Sequence, residues 1–190
     1  MDFVFDIDKT IAAAGFLTKR EGGTISIFVL MKMMYGAERE ALAKWKRPIT
    51  GDSFFCMKKG IILSRTYDLI KRSISSSNSD MEKWSRFFSA RIANQIQLIS
   101  QPELGFLSQW EMEALQNSFD SITTLIKEKG LIADELHKRW PEWTDPGRGA
   151  LPLSLNEVLR EVVEDDSQIE KIILEIKAVA SAKAALQISS

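Results

Sequence analysis

Long stretches of the chain carry apolar residues every three or four positions, a spacing that places them on one face of a helix. The clearest stripe follows Thr24 and consists of Phe28, Met31, Tyr35, Leu42 and Trp45. We predict helices over residues 8–19, 24–46, 63–72, 108–129 and 132–140, with Thr24 as the N-cap of the second helix.

Three serines are each followed three residues later by a glutamate, the pattern of a capping box that opens a helix. These serines are Ser108, Ser154 and Ser167. The last precedes a regular apolar stripe that begins at Ile169, which predicts a final amphipathic helix.

Pro48 interrupts the helical pattern, and we expect a turn over residues 46–52. The remaining predictions are a short strand over 53–57, loops over 73–80 and 144–152, and an ambiguous segment over 81–100.

This order of elements indicates a mainly α (α+β) fold, a compact helical domain with a small β element and a C-terminal amphipathic helix. We assign residues 1–165 to the domain and residues 166–190 to the C-terminal helix. That helix either docks on the domain or is offered to a partner, since an apolar stripe suits both roles.

Composition is that of an ordinary globular protein, with 45% hydrophobic and 27% charged residues in 190. One cysteine and one histidine exclude an intrachain disulfide and the usual Cys/His zinc site. The start of the chain lacks the pattern of a signal peptide, and no apolar run approaches the ~20 residues of a membrane span. We therefore expect a cytoplasmic protein without membrane contact.

Charge is unevenly distributed although the net charge is only −1. Residues 32–72 hold ten basic and four acidic side chains, whereas residues 157–170 hold six acidic and one basic. The two regions are either balanced solvated faces or, for the basic one, a surface for an acidic partner. A pI near 6 and the lack of a basic recognition helix make nucleic acid an unlikely partner.

Glu38 is the most informative single position, because it lies seven residues from both Met31 and Trp45 in the apolar stripe. A buried carboxylate must be paired or hydrogen-bonded. We expect Glu38 to accept hydrogen bonds from backbone amides of residues 48–53 or to pair with an arginine. The alternatives are contact with a partner and catalysis.

Other candidate groups have similar alternatives. Asp52 and Asp68 suit an acid–base pair or a magnesium site, but we favour a cap on its own turn for Asp52 and a helix face near Arg65 or Arg72 for Asp68. His137 is expected to be packed or hydrogen-bonded beside the tryptophan of its segment 135–140, because no nucleophile with an orienting residue accompanies it. We predict no catalytic, cofactor-binding or metal-binding residue, and Cys56 is expected to be buried in a strand.

Two segments together resemble the signature of the Panacea (SocA-like) antitoxin domain family. They are Lys-Met-Met-Tyr-Gly-Ala-Glu-Arg at 32–39 and Arg-Pro-Ile-Thr-Gly-Asp at 47–52. Further similarity lies at residues 67–69, 107–115 and 135–137, with Trp140 or Trp143, so that the resemblance spans about residues 8–160. The chain departs from the family after Gly60, where members usually carry a Gly-Pro-x-Pro-like segment.

The resemblance implies an antitoxin that neutralises a cognate toxin protein by direct binding, in a family often linked to phage defence. The alternatives are a protease adaptor that delivers its client for degradation, a prophage-associated interaction protein and, less favoured, a DNA-binding autorepressor. The oligomeric state stays open. We expect Arg39, Tyr67 and Trp143 to anchor the toxin. The full set of candidate structural or partner-binding residues is Glu38, Arg39, Pro48, Thr50, Gly51, Asp52, Tyr67, Asp68, His137 and Trp143.

Overall fold

The computed structural model describes residues 4–130 and 132–188, with side chains described as far as 182 and at 185. In this part of the chain there are eight α-helices and five short strands, which confirms the predicted α+β class. The helices are α1 (Ile7–Arg20), α2 (Ile27–Trp45), α3 (Ser64–Lys71), α4 (Asn78–Ser85), α5 (Gln109–Lys129), α6 (Ala133–Arg139), α7 (Leu155–Val162) and α8 (Ile169–Ile188). The strands are β1 (Thr24–Ser26), β2 (Phe54–Met57), β3 (Gly60–Leu63), β4 (Gln95–Gln97) and β5 (Leu151–Leu153).

Helix α2 is the centre of the molecule, and most of its residues are buried. It packs against α5 along one side and against α1, α7 and β3 on others. A central helix with neighbours on several sides must be apolar around much of its circumference. The Met-rich segment from Leu30 to Tyr35 meets this requirement, since all of its residues are buried.

The closest approach of α2 and α5 depends on Gly36. A Cβ atom added to Gly36 would overlap Ser118 Oγ, which itself donates a 2.7 Å hydrogen bond to the carbonyl of Met33. We therefore expect Gly36→Ala to lower the free energy of unfolding by about 1–3 kcal/mol, as overpacking does in other cores. Urea denaturation measures this change.

The matched control is Gly149→Ala, because a Cβ at Gly149 meets no atom within 4 Å. Its stability should stay within about 0.5 kcal/mol of the parent protein. Equal stability of the Gly36 and Gly149 variants would contradict the proposed close packing.

Two of the three predicted capping boxes are confirmed, at the starts of α5 and α7. In each, the serine hydroxyl accepts from a backbone amide of the first turn while the glutamate reaches back to the serine amide. The third box is wrong. A 3₁₀ turn, Asp166–Gln168, precedes α8, and its cap is Asp165, whose carboxylate accepts a 3.0 Å hydrogen bond from the Ser167 amide.

The strands form two antiparallel sheets, β1–β4 and β3–β2–β5. The predicted strand over 53–57 is confirmed as β2. Thr24 is not a helix cap, because Thr24–Ser26 pair with Gln95–Gln97 and α2 begins only at Ile27. Strand β5 overlaps the end of the predicted loop 144–152, and Pro152 is tolerated there because β5 is an edge strand.

Helix α8 places Ile169, Ile172 and Ile176 in the hydrophobic core, whereas Leu174 and Val179 stay exposed. The first half of this helix therefore packs on the rest of the chain. A domain division at residue 165 stays a prediction. In the described ranges, none of the helices combines the length and the apolar character that crossing a membrane requires.

Candidate functional site

Glu38 holds the turn that follows α2. Its carboxylate accepts hydrogen bonds from the Ile49 amide at 2.7 Å and the Thr50 amide at 2.8 Å, and from the Thr50 hydroxyl. The first of the two arrangements expected for this residue is therefore confirmed. Gly51, with φ of 66°, adopts the left-handed conformation that the turn requires. Pro48, Thr50 and Gly51 thus act together with Glu38 to shape the turn.

The Glu38 carboxylate is only 1% exposed. Burial raises its pKa above the ordinary value, the three hydrogen bonds oppose that rise, and the nearby Asp52 adds to it. All of these interactions are internal to the chain. The geometry is that of a structural clamp and leaves no room for substrate at this carboxylate.

Asp52 caps the N-terminus of α3, although it lies on the other side of β2 and β3 in the sequence. Its carboxylate accepts hydrogen bonds from the Arg65 amide at 2.9 Å and from the Thr66 amide and hydroxyl at 2.8 and 2.7 Å, besides the adjacent Ser53 amide. The expectation that Asp52 mainly caps its own turn is wrong, because three of its four donors belong to the start of the next helix. Since α3 has no capping side chain before it, Asp52 supplies that function.

Asp68 is not brought into this network. It lies on α3 as expected, but its carboxylate lies 3.6 Å from Lys71 Nζ and accepts a 2.9 Å hydrogen bond from Ser75, so its charged partner is Lys71 rather than Arg65 or Arg72. Arg65 pairs with Asp80 instead. Across residues 4–130 and 132–188, no three His, Cys, Asp or Glu side chains are grouped so that they could hold a metal ion.

Arg39 forms an ion pair with Glu142 that the sequence analysis did not predict. Its Nε atom donates to Glu142 Oε1 at 2.8 Å, and the same oxygen accepts from the Tyr35 hydroxyl at 2.6 Å. Burial, followed by the Glu142 charge and hydrogen bond, raises the pKa of Tyr35 well above its usual value. Glu142 thereby connects the segment after α6 to α2. In the sequence, the one local indication that Glu142 is buried is its position between Trp140 and Trp143.

His137 is packed beside a tryptophan as expected, but the tryptophan is Trp143, whereas Trp140 of its own segment packs against Tyr35. The ring centroids of His137 and Trp143 lie 3.5 Å apart and the rings are within 4° of parallel. Trp143 in turn donates from Nε1 to the Met57 carbonyl at 2.9 Å. Burial, with a smaller effect of the Lys32 charge, lowers the pKa of His137. Its Nε2 atom is buried and has no hydrogen-bond partner within the described residues.

These bonds link α2, the turn, the start of α3 and the segment 137–143 into one network. The family model described as antitoxin SocA-like, Panacea domain matches residues 30–144, which contain all of it. The chain belongs to this antitoxin family. Neither the curated proteins nor the solved structures contain a match. The matched range is shorter than the 8–160 expected, and α1, α7 and α8 lie outside it.

Two of the recesses beside the network combine aromatic and cationic walls. The first, the signature cleft, has a volume of 380 Å³ and is lined by the turn at 46–51, by Trp45 and Trp110, and by Glu175–Ala180 of α8. The two tryptophan rings lie 4.8 Å apart at a 38° tilt. Half-buried aromatic rings beside Arg47 are the groups that protein interfaces favour.

The second recess, the lysine pocket, has a volume of 410 Å³. It lies between Ser26–Lys32, the β2–β3 turn at 57–60, Tyr67 of α3, and residues 91–94. Tyr67 is the only one of the three expected anchors that lines either recess. Sequence reasoning missed the role of Lys32, Lys59 and Arg91 here because their proximity depends on the fold.

Proposed function

We propose that this protein is an antitoxin that neutralises a cognate toxin protein by direct stoichiometric binding. Membership of an antitoxin family supports the role itself. The observation that carries the proposed mechanism is that Glu38 and Asp52, the buried carboxylates of the signature, are engaged by internal hydrogen bonds. Glu38 and Asp52 are fully buried and between them accept seven hydrogen bonds from the chain itself. A carboxylate so engaged is a poor general base or metal ligand.

The hydrogen-bonded network instead fixes the relative positions of α2, α3 and the segment 137–143. A rigid surface binds a partner with a smaller entropic penalty than a mobile one. Two recesses with aromatic and cationic walls border this rigid region. A standard interface of about 1,200–2,000 Å² could include either recess and would cover a substantial part of a toxin.

Of the three anchors expected from the sequence, Arg39 and Trp143 are engaged with Glu142 and Met57. Arg39 and Trp143 would therefore contact the toxin only through the atoms that remain exposed. Tyr67 is half-buried and stands beside Lys71, whose Nζ lies 4.5 Å from the ring centre. We therefore propose Tyr67 as the anchor with the greatest contribution.

Co-expression tests the function. The proteins encoded next to this one are expressed singly from an inducible promoter, and a product that stops growth is then expressed together with this chain. We expect growth to be restored, and restored equally in a strain that lacks the ATP-dependent proteases. Rescue that requires a protease would favour the adaptor role, and a toxic neighbour that still kills would contradict the antitoxin role.

A further inference from the structure

The lysine pocket has an unusual balance of charge. Four of its lining residues are basic, namely Lys32, Lys58, Lys59 and Arg91, and none is acidic. Eight ion pairs elsewhere in the described residues engage other lysines and arginines, but none of these four takes part in one. Among residues 4–130 and 132–182, therefore, no carboxylate pairs with the positive charges of this pocket.

Lys32 lies beneath the pocket rather than on its rim. It is 1% exposed, and its Nζ donates a single 2.8 Å hydrogen bond to the Ile61 carbonyl. An ammonium group has three N–H donors, so two have no acceptor in the described structure. Burial lowers the pKa of this amine to about 7. An anion held above the amine would favour its charged form.

The backbone of the β2–β3 turn permits this arrangement. Gly60 has φ of 106°, and a Cβ atom there would stand 2.8 Å from Lys32 Nζ and 3.6 Å from His137 Nε2. A side chain at this position would therefore displace the amine. The absence of a Cβ atom at Gly60 therefore lets the Lys32 amine lie against the β2–β3 turn at the floor of the pocket.

The walls of the pocket are mainly apolar. Phe28 and Tyr67 supply aromatic surface and Met31, Met57 and Ile62 supply aliphatic surface, while Ser26 and Asn94 add neutral polar groups. Lys32 Nζ lies 5.3 Å from the Phe28 ring centre, a distance at which the ring supports the charge. Apolar walls with a cationic floor and rim suit a carboxylate on a short apolar stem, the chemistry of an aspartate or glutamate side chain.

We propose that the lysine pocket receives an acidic side chain of the toxin, and that Lys59 and Arg91 at its rim contact the carboxylate. This inference rests on the proposed function for the identity of the partner. Charge complementarity selects the occupant, because a cationic pocket without internal counterions attracts an acidic segment and disfavours a basic one. The site does not include the signature turn at 46–52, but it borders the network through Met57.

The first experiment uses the intact protein and a defined probe, the blocked peptide hexaglutamate, with blocked hexaglutamine as its neutral counterpart. Amide chemical-shift changes are followed by NMR. We expect hexaglutamate to shift the amides of residues 57–60 and 91–94, and hexaglutamine to shift none. Arg91→Glu and Lys59→Glu should each weaken hexaglutamate binding roughly tenfold, a difference of about 1.4 kcal/mol.

The matched control is Arg148→Glu, an exposed charge reversal outside the pocket. It should change the affinity less than about twofold if the pocket rather than the overall charge attracts the peptide. Shifts spread over the whole surface, equal effects of Arg148→Glu and Arg91→Glu, or no binding of hexaglutamate would each overturn the proposal.

The second experiment uses the toxin found by co-expression and measures its affinity for the same variants. We expect Arg91→Glu to weaken toxin binding at least tenfold and Arg148→Glu to leave it unchanged. Unaltered toxin binding by Arg91→Glu would overturn the pocket as a toxin site while the antitoxin function stands. If the protein binds hexaglutamate at the pocket but does not restore growth in the co-expression test, the antitoxin function is overturned while the pocket still binds acidic side chains.

Light scattering of the isolated protein tests the remaining occupant, a second copy of this chain. Its acidic segment at 157–170 has the required charge. We expect Arg91→Glu to leave the oligomeric state unchanged. A self-associated protein that Arg91→Glu dissociates would assign the pocket to that segment and overturn the proposal.

Discussion

Glu38→Gln is expected to lower the free energy of unfolding by about 3 kcal/mol. Glutamine fills the same volume but offers one acceptor oxygen, whereas the turn presents two backbone amides and a hydroxyl to the two oxygens of Glu38. One amide would then face the glutamine NH₂ group, which is also a donor. A buried donor without an acceptor costs about 1–3 kcal/mol, and a hydrogen bond to a charged group contributes a similar amount.

Chemical denaturation of the parent and variant proteins measures this difference. Glu113→Gln is the matched control, since its carboxylate is 57% exposed and lies 3.6 Å from Lys44. Such a surface pair contributes at most about 1 kcal/mol. A Glu38→Gln protein that keeps its stability but no longer binds the toxin would show that Glu38 contacts the toxin directly. This result would contradict the structural role of Glu38 in holding the turn.

Lys32→Met is expected to act in the opposite direction and to raise the free energy of unfolding by about 1–3 kcal/mol at pH 7. Methionine keeps the length and apolar stem of lysine without a buried amine. A pKa lowered from 10.5 to about 7 means that the folded state disfavours the charged amine. Loss of the hydrogen bond to the Ile61 carbonyl offsets part of the gain.

The pH dependence identifies the amine as the cause. Because its folded pKa lies below the unfolded value of 10.5, the unfolded state binds more protons between about pH 7 and 10.5. The parent protein should therefore gain stability relative to Lys32→Met as the pH rises above 7, by up to about 1.4 kcal/mol per unit. Denaturation at pH 6, 7.5 and 9 tests this.

Lys59→Met serves as the control, since Lys59 is exposed and its substitution should leave both the stability and its pH dependence unchanged. A Lys32→Met protein that is less stable than the parent at every pH would contradict the expectation. A stabilised variant with weakened toxin binding would show that the lysine is kept for function at the expense of stability.

The helices were predictable where the signals were local. The apolar stripe of α2 and the capping boxes at Ser108 and Ser154 need only neighbours within a few residues, and each matched the structure. Ser167 failed because Asp165, two residues earlier, competes for the same role. The prediction for Thr24 failed because Thr24 pairs with Gln97 of β4, a residue 73 positions away.

The candidate site was predictable only in part, because some of its contacts join residues that are far apart in the sequence. Glu38 could be identified because a carboxylate interrupts an apolar stripe and the turn follows on the same helix. The Arg39–Glu142 pair joins residues 103 positions apart, and no local pattern indicates it. Lys32 stands next to apolar positions of α2, but its burial depends on β3, a strand that the sequence pattern did not predict.

The most direct test of neutralisation by binding is a titration of purified toxin with purified antitoxin, with no third component present. The amount of free toxin should fall linearly to zero at a fixed molar ratio, and denaturation of the complex should return toxin of unchanged mass. Loss of toxicity at far less than equimolar antitoxin, or recovery of a cleaved or chemically altered toxin, would show that the protein acts by catalysis and contradict a stoichiometric mechanism.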